Sequence, residues 1–388
     1  MNRRSFLGYL AALSGPMVLP LSITSCRIFG PDKHLLYLPK GFTARVVAVS
    51  GEKPVENSSI EWHSLPDGGA TFPKHDGWIY VSNSEIKDGE GGVSALSFNH
   101  RGQIVDAYSI LSNTSRNCNG GVTPWGTWLS CEEVPEGQVL ETDPYGKQPP
   151  RVLPALGTFR HEAVAFDTDR NVVYLTEDYK DDGRLYRYLP NGLDENNHLN
   201  LHDGLLQVAR LENNQLVWLD IKDPSAESAE TRFQQPTSTQ FKGAEGIVYN
   251  NHCIYFTTRN SGQVWKYDVR TTDISVIYSA LEDQPETLSG IDDITVMPFG
   301  QLLVAEDRGN MQIVALDHYG AATPIIKVAG HAGSEITGLA FTPDFKRLYF
   351  SSQRGPAGHR HQGVTFEVSG PFTDPTWPIS PYEIAIEV

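Results

Sequence analysis

Between Asn117 and Glu133 the chain reads NCNGGVTPWGTWLSCEE, which brings a thiol, two adjacent glycines, two tryptophans and two adjacent carboxylates into one short stretch. Cys118 with Glu132 and Glu133 is a ligand set of mixed softness: a thiolate suits a transition metal such as iron, and carboxylate oxygens suit harder ions such as Ca²⁺. Gly120-Gly121 reads as a turn at which backbone can approach a ligand closely, and the run from Trp125 to Cys131 as a strand that delivers Glu132 and Glu133 to its far end. Metal chemistry is the expectation.

Other acids recur at matched places. Glu162, Glu245 and Asp292 stand two positions ahead of Val164, Ile247 and Ile294, and Glu335 lies two positions further upstream in a similar segment. Glu132-Glu133, Glu177-Asp178 and Glu306-Asp307 close a second apolar run in their segments, with Asn83 and Glu85 near that place in an earlier one. A single Asp or Glu is ordinarily a solvated turn residue, but acids in register across repeats point to one shared site. Carboxylates that converge cannot all stay ionised without cations. Arg259 occupies the place where other copies carry Glu132, Glu177 or Glu306. A guanidinium there suits either an anion held jointly with metal ions or a neighbouring carboxylate. Arg354 and Lys242 are weaker candidates for the same role. His161 reads as a structural or substrate-facing group, and the HRH run at 359 to 361 as a solvent-exposed loop.

The elements that must position these residues are strands. Apolar residues alternate with period two along the chain, and helical periodicity is absent. A unit of about forty residues recurs, built from an apolar strand, an Asp/Asn/Gly turn, a Tyr- and Val-rich strand, and a third strand after glycine. Copies run through 70 to 98, 120 to 133, 161 to 190, 244 to 268, 292 to 317 and from Glu335 onward. Six copies predict an all-β, six-bladed β-propeller with its metal site in the central channel, lined by the first strand of each copy. The strand near Phe42 to Val49 is placed to complete the last blade. The polar connection from Asp194 to Gln240 is expected to hold outer strands at Gly204 to Val208 and Leu216 to Asp220, plus a surface excursion.

The net charge of -16, from 47 acidic and 31 basic side chains, argues against nucleic-acid binding. Arg3-Arg4 ahead of Phe6-Leu7 and an apolar stretch to Leu21 has the form of a twin-arginine export signal, and Ile23-Thr24-Ser25-Cys26 resembles a lipobox. The expected organisation is a signal over 1 to 26 and one propeller domain over 27 to 388. The mature protein is then periplasmic or at the cell surface, a monomer, touching membrane only through a lipid on Cys26. Of four cysteines, Cys118, Cys131 and Cys253 remain, an odd number that does not support a disulfide framework.

NCNGGVTPWGTWLSCEE, HEAVAFD with VYLTEDY, GAEGIVY with GQVWKYD, DDITVMPFGQLLVAED, and EITGLAF with LYFSSQRG together resemble the PhoX-type alkaline phosphatase family along most of the chain. The resemblance implies an exported phosphatase that hydrolyses small phosphate monoesters with an oxo-bridged pair of Fe³⁺ ions and calcium, a metal-bound oxide or hydroxide serving as nucleophile. It matches Cys118 to an iron ligand, and Glu132 or Glu133, Glu162, Glu245, Asp292, Glu306 and Glu335 to the acidic positions that supply metal ligands. The catalytic cation expected beside them is Arg259. Alternatives from other classes are a calcium-dependent propeller esterase or lactonase, and a non-catalytic surface propeller that binds a partner.

Overall fold

The computed structural model describes residues 34–280, 287–377 and 379–388, so the expected signal over 1 to 26, with Cys26, lies outside the described residues. Six antiparallel sheets are arranged with their first strands side by side in a closed ring. Those inner strands are Pro66–Lys74, Asn117–Val122, His161–Asp167, Ala244–Asn250, Ile291–Val296 and Ile336–Phe341, for blades one to six. Blade six takes its outermost strand, Thr43–Val49, from the start of the described chain, pairing it with Val364–Ser369. This closes the ring through hydrogen bonds between distant parts of the chain, as the apolar run near Phe42 predicts.

The alternation along each strand feeds two different cores. In blade three, Val173 and Leu175 pack with Leu129, Cys131 and Val139 of blade two, while Tyr174 packs with Ile254, Phe256 and Tyr267 of blade four. Both faces of a blade are therefore buried, and each enclosed Val or Leu contributes about 1.5–3 kcal/mol. Blade three carries the outer strands Gly204–Glu212 and Gln215–Asp220, close to the expected positions. Blade five is wider than the repeat predicts. Leu35–Leu38 and Ile384–Glu387 add to it beyond Ala322–Ala329, and Leu36, Leu38 and Ile386 extend the apolar face shared with blade six.

The Gly120-Gly121 pair is not a turn. It lies inside the inner strand of blade two, and the turn follows at residues 123–127. The glycines are needed for close approach: a Cβ at Gly120 would lie 1.9 Å from the Leu129 carbonyl oxygen, and one at Gly121 2.2 Å from that of Val164 in the next blade. Among the described residues no helix is long and apolar enough to cross a membrane.

Candidate metal centre

Every inner strand is broken at the same point. Pairing with the second strand shifts between Pro66 and Gly69, Asn117 and Gly120, His161 and Val164, Ala244 and Ile247, Ile291 and Ile294, and Thr337 and Ala340. Each shift is a bulge with one extra residue, a device that re-aims a side chain at a strand's end. The first residue inside the successive bulges is Asp67, Cys118, Glu162, Glu245, Asp292 and Gly338. Five positions thus carry ligand-type side chains around one axis. The sixth cannot: Gly338 has φ +68°, and a Cβ there would meet the Asp67 carbonyl oxygen at 2.6 Å. Blade six supplies Glu335 instead, from just ahead of its inner strand.

A second ring comes from the residue after each second strand: Glu85, Glu133, Asp178, Arg259, Asp307 and Gln353. Strand side chains alternate in direction, so the residues one step earlier face away from the channel. The Glu132 carboxylate accepts from the Ser115 and Gln138 backbone N–H groups at 2.9 and 3.3 Å. Glu306 likewise accepts from Ser289 and Gln312 at 2.8 and 2.9 Å, and Glu177 from the Tyr186 hydroxyl and Arg232. The structure therefore places Glu132 and Glu306 outside the cavity and their neighbours Glu133 and Asp307 inside it. Arg259 is level with Glu133, Asp178 and Asp307, one residue on from the alignment with Glu132, Glu177 and Glu306. Cys118, Glu133, Glu162, Glu245, Asp292, Glu335 and Arg259 all line the cavity; Asp67, Glu85, Asp178 and Asp307 join them.

The cavity encloses about 840 Å³ and is lined by ten carboxylates against six cationic side chains. Three groups of acids each bring one oxygen apiece within 4.8 Å of one another: Asp67, Glu85 and Glu335; Glu162, Glu245 and Asp292; and Asp292, Asp307 and Glu335. Burial, followed by repulsion from neighbouring carboxylates, pushes Asp67 and Glu162 well above the usual carboxylate range. Burial does the same to Glu245, Asp292 and Glu335, against the pull of Arg259 or Arg354. The Cys118 thiol lies 3.2 Å from Glu162 Oε1 and 3.8 Å from Asp67 Oδ2, and burial with these anions raises its pKa as well.

The arginines only partly meet this charge. Arg116 contacts Glu85 and Glu133, Arg160 contacts Glu133, and Arg354 pairs with both oxygens of Glu335 at 2.9 and 3.1 Å. Arg259 reaches Asp178 at 3.0 Å, Glu245 at 2.9 Å, Asp307 at 3.2 Å and Asp292 at 3.5 Å. The Glu245 contact lies off the line of a hydrogen bond, and Glu245 Oε1, Glu162 Oε2, Asp178 Oδ1 and Asp307 Oδ1 are buried without a hydrogen-bond donor. A buried carboxylate oxygen with no donor is costly, and convergent orphan oxygens beside a thiol are a donor set that fits metal cations.

His161 is a structural residue: it is buried, packed against the tilted ring of Phe159, and its Nε2 meets the Gly157 carbonyl oxygen at 3.0 Å. Lys242 does not line the cavity, and the loop with His359 and His361 is exposed. Below the acids, Asn119 Nδ2 donates to Asp293 Oδ1 at 2.9 Å, linking blade two to blade five across the channel. Beyond that link lies a separate, mostly apolar cavity of about 630 Å³.

The model of the family described as alkaline phosphatase PhoX matches residues 101–141 and 135–355, a span that includes five of the six bulges. The chain belongs to the PhoX alkaline phosphatase family. Among solved structures, this PhoX-family phosphatase is similar to Pseudomonas fluorescens PhoX in complex with vanadate, a transition state analogue. That match has a TM-score of 0.73 and 17% identity, over 86% of this chain and 96% of the other. A luciferin-regenerating enzyme is similar in fold alone, with a TM-score of 0.53 and 11% identity over 89% and 99% of the two chains. Comparison with curated proteins gives no match.

Proposed function

We propose that this PhoX-family phosphatase hydrolyses small phosphate monoesters in the acidic cavity, using iron and calcium held by Cys118 and the bulge and second-ring carboxylates. The observation that carries the reading is the set of three acid groups, with a partly buried thiol beside them, in a chain whose family is PhoX. Cys118 is the one soft donor and suits iron, with the Glu162 carboxylate 3.2 Å away as an oxygen co-ligand, while Asp67, Glu85, Asp292, Asp307 and Glu335 are hard oxygen donors of the kind calcium takes. When bound, such ions supply Lewis-acid polarisation of phosphoryl oxygens and an activated oxygen nucleophile at moderate pH.

The protein's own groups supply positioning and charge. Arg259 sits at the centre of four carboxylates, so once cations balance those acids its guanidinium is free to hold two phosphate oxygens. The Asn119–Asp293 link spans the channel beneath the site, and the exposed lining residues Tyr179, Lys180 and Arg308 mark the side from which substrate would enter and product leave. We further infer export by the twin-arginine route, supported by Arg3-Arg4 and by the advantage of folding around metals before export.

Elemental analysis of protein purified from an exporting host, beside a p-nitrophenyl phosphate assay, tests the reading. Iron with calcium, and activity lost on chelation or in Cys118→Ala, is expected. Calcium alone with lactone hydrolysis and no phosphatase activity would replace it with the esterase or lactonase alternative.

A further inference from the structure

The bulges create a problem that three side chains solve in a common way. A bulge leaves backbone groups without ladder partners. In blade three, the Thr176 hydroxyl accepts from the Ala163 N–H inside that blade's own bulge at 3.1 Å, and donates at 2.6 Å to the carbonyl oxygen of Glu245, the bulge acid of blade four. In blade four, the Thr257 hydroxyl lies 3.3 Å from the Gly246 carbonyl of its own bulge and donates to the carbonyl oxygen of Asp292, the bulge acid of blade five. In blade one, Asn83 Nδ2 donates to the carbonyls of Cys118 and Asn119 in the bulge of blade two at 3.0 and 2.8 Å.

These residues occupy one repeat position. Asn83, Thr176 and Thr257 each stand two places before the second-ring residue of their blade, Glu85, Asp178 and Arg259. All three are fully buried. The Asn83 amide is fixed in turn by donors to its Oδ1, the Trp128 indole N–H at 2.9 Å and the Ser130 hydroxyl at 3.0 Å. Asn83 and Thr176, buried with both ends of the amide or hydroxyl engaged, have one orientation available and transmit it to the carbonyls they hold, while the single hydroxyl proton of Thr257 goes to the nearer of its two carbonyls, that of Asp292.

We infer that Asn83, Thr176 and Thr257 are positioning residues that lock the backbone of Cys118, Glu245 and Asp292, each from the preceding blade. The inference rests on the metal-dependent reading above. It gives the propeller's closure a function: the aim of a donor in one blade is set by the packing of the blade before it. Thr257 has the widest reach, because Asp292 belongs to two of the three acid groups. Support of this kind, removed without touching a ligand, typically weakens metal binding about 10–100-fold.

The test uses the full chain stripped of metal and titrated calorimetrically with Ca²⁺ and, separately, with Fe²⁺ under anaerobic conditions. Thr176→Val and Thr257→Val keep side-chain volume and lose the hydroxyl; each is expected to weaken at least one of the two affinities by about 10–100-fold. Thr176→Ser and Thr257→Ser restore it. Thr142→Val is the matched control, since the buried Thr142 hydroxyl donates to the Trp128 carbonyl at 3.1 Å, a carbonyl on no ligand residue. It should lower thermal stability like the other Val variants and leave both affinities unchanged. Unchanged affinities in Thr176→Val and Thr257→Val, or equal loss in Thr142→Val, would overturn the inference while leaving the phosphatase reading intact. A wild-type chain that binds neither ion overturns both.

Discussion

Arg259 offers the sharpest separation of structural from catalytic roles, because four carboxylates surround it and its side chain keeps 30% of its exposure. At about 3 Å and an effective dielectric near 20, each ionised partner attracts the guanidinium by about 5 kcal/mol, an attraction largely offset by desolvation. Removing one partner from a buried ion cluster typically costs about 3–5 kcal/mol, and exposure places Arg259→Met at the lower end or below it. In metal-stripped protein the variant should therefore melt several degrees lower than wild type. In protein saturated with Ca²⁺ and iron the carboxylates have other cations, and the gap should shrink to within about 1 kcal/mol. Activity should move the opposite way. Losing a cationic contact to the transferring phosphoryl group costs about 10²–10³-fold in kcat/KM, and Arg259→Lys should fall between because it keeps the charge without the two-pronged geometry. Differential scanning fluorimetry with and without metal, beside steady-state kinetics on p-nitrophenyl phosphate, reads both. A metal-loaded Arg259→Met enzyme with wild-type kcat/KM would refute the phosphate role. A stability loss of equal size with and without metal would refute the charge-sharing argument.

Register predicts a contrast between neighbours. Asp307→Asn should reduce metal content with modest change in metal-free stability, whereas Glu306→Gln and Glu132→Gln should cost about 1–3 kcal/mol in stability and leave metal content unchanged; elemental analysis and melting curves decide it. Cys118→Ser should lower retained iron and spare calcium, read by elemental analysis of the dialysed protein. The metal-free protein should also lose stability as pH rises. Asp292, pushed up to about 8 from 3.8, and the other raised acids hold more protons folded than unfolded, so their contribution declines as pH climbs through the folded pKa values. The buried His63 and His161, pushed down to about 3 from 6.5, act in the opposite sense, but only below the unfolded value of 6.5. Melting temperature in EDTA should therefore fall between pH 6.5 and 9, and saturating Ca²⁺ should remove that fall; a flat profile in EDTA would refute the claim.

The blades were legible in the sequence because their evidence is redundant: six apolar first strands, each followed by a polar turn and a second strand, leave little choice of fold. The site was legible to within one residue, and the error has a physical cause. Sequence shows that Glu306-Asp307 closes a strand, but which of the two enters the channel depends on the phase of the pleat, and a bulge upstream shifts the pairing between the strands. For this reason sequence alone does not choose between Glu132 and Glu133 or between Glu306 and Asp307, and it aligns Arg259 with Glu132, Glu177 and Glu306 rather than with Glu133, Asp178 and Asp307. Asp67 was missed because the first copy was read from Ala70, past the Pro66-Asp67-Gly68-Gly69 bulge. A signal was available, since a Gly follows the acid within the bulge in both Asp67-Gly68 and Glu245-Gly246. The close approach of Gly121 to the Val164 carbonyl could not be read at all, because it depends on where the next blade lies.

The opening stretch shows how the repeat makes a site from parts that could not make one alone. Cys118 lies in a bulge of blade two, its carbonyl is held by Asn83 of blade one, its thiol faces Glu162 of blade three, and the side chain of its neighbour Asn119 is tied to Asp293 of blade five. Four blades thus converge on one cysteine and the residue after it. A blade slightly displaced would keep most of its apolar burial, since hydrophobic contact is non-directional. It would not hold the thiol within reach of the acids, because a polar contact weakens steeply with misalignment. The fold's stability and the site's geometry therefore rest on different contacts: Val, Leu and Tyr between blades for the first, and a few buried hydroxyls and amides at the bulges for the second.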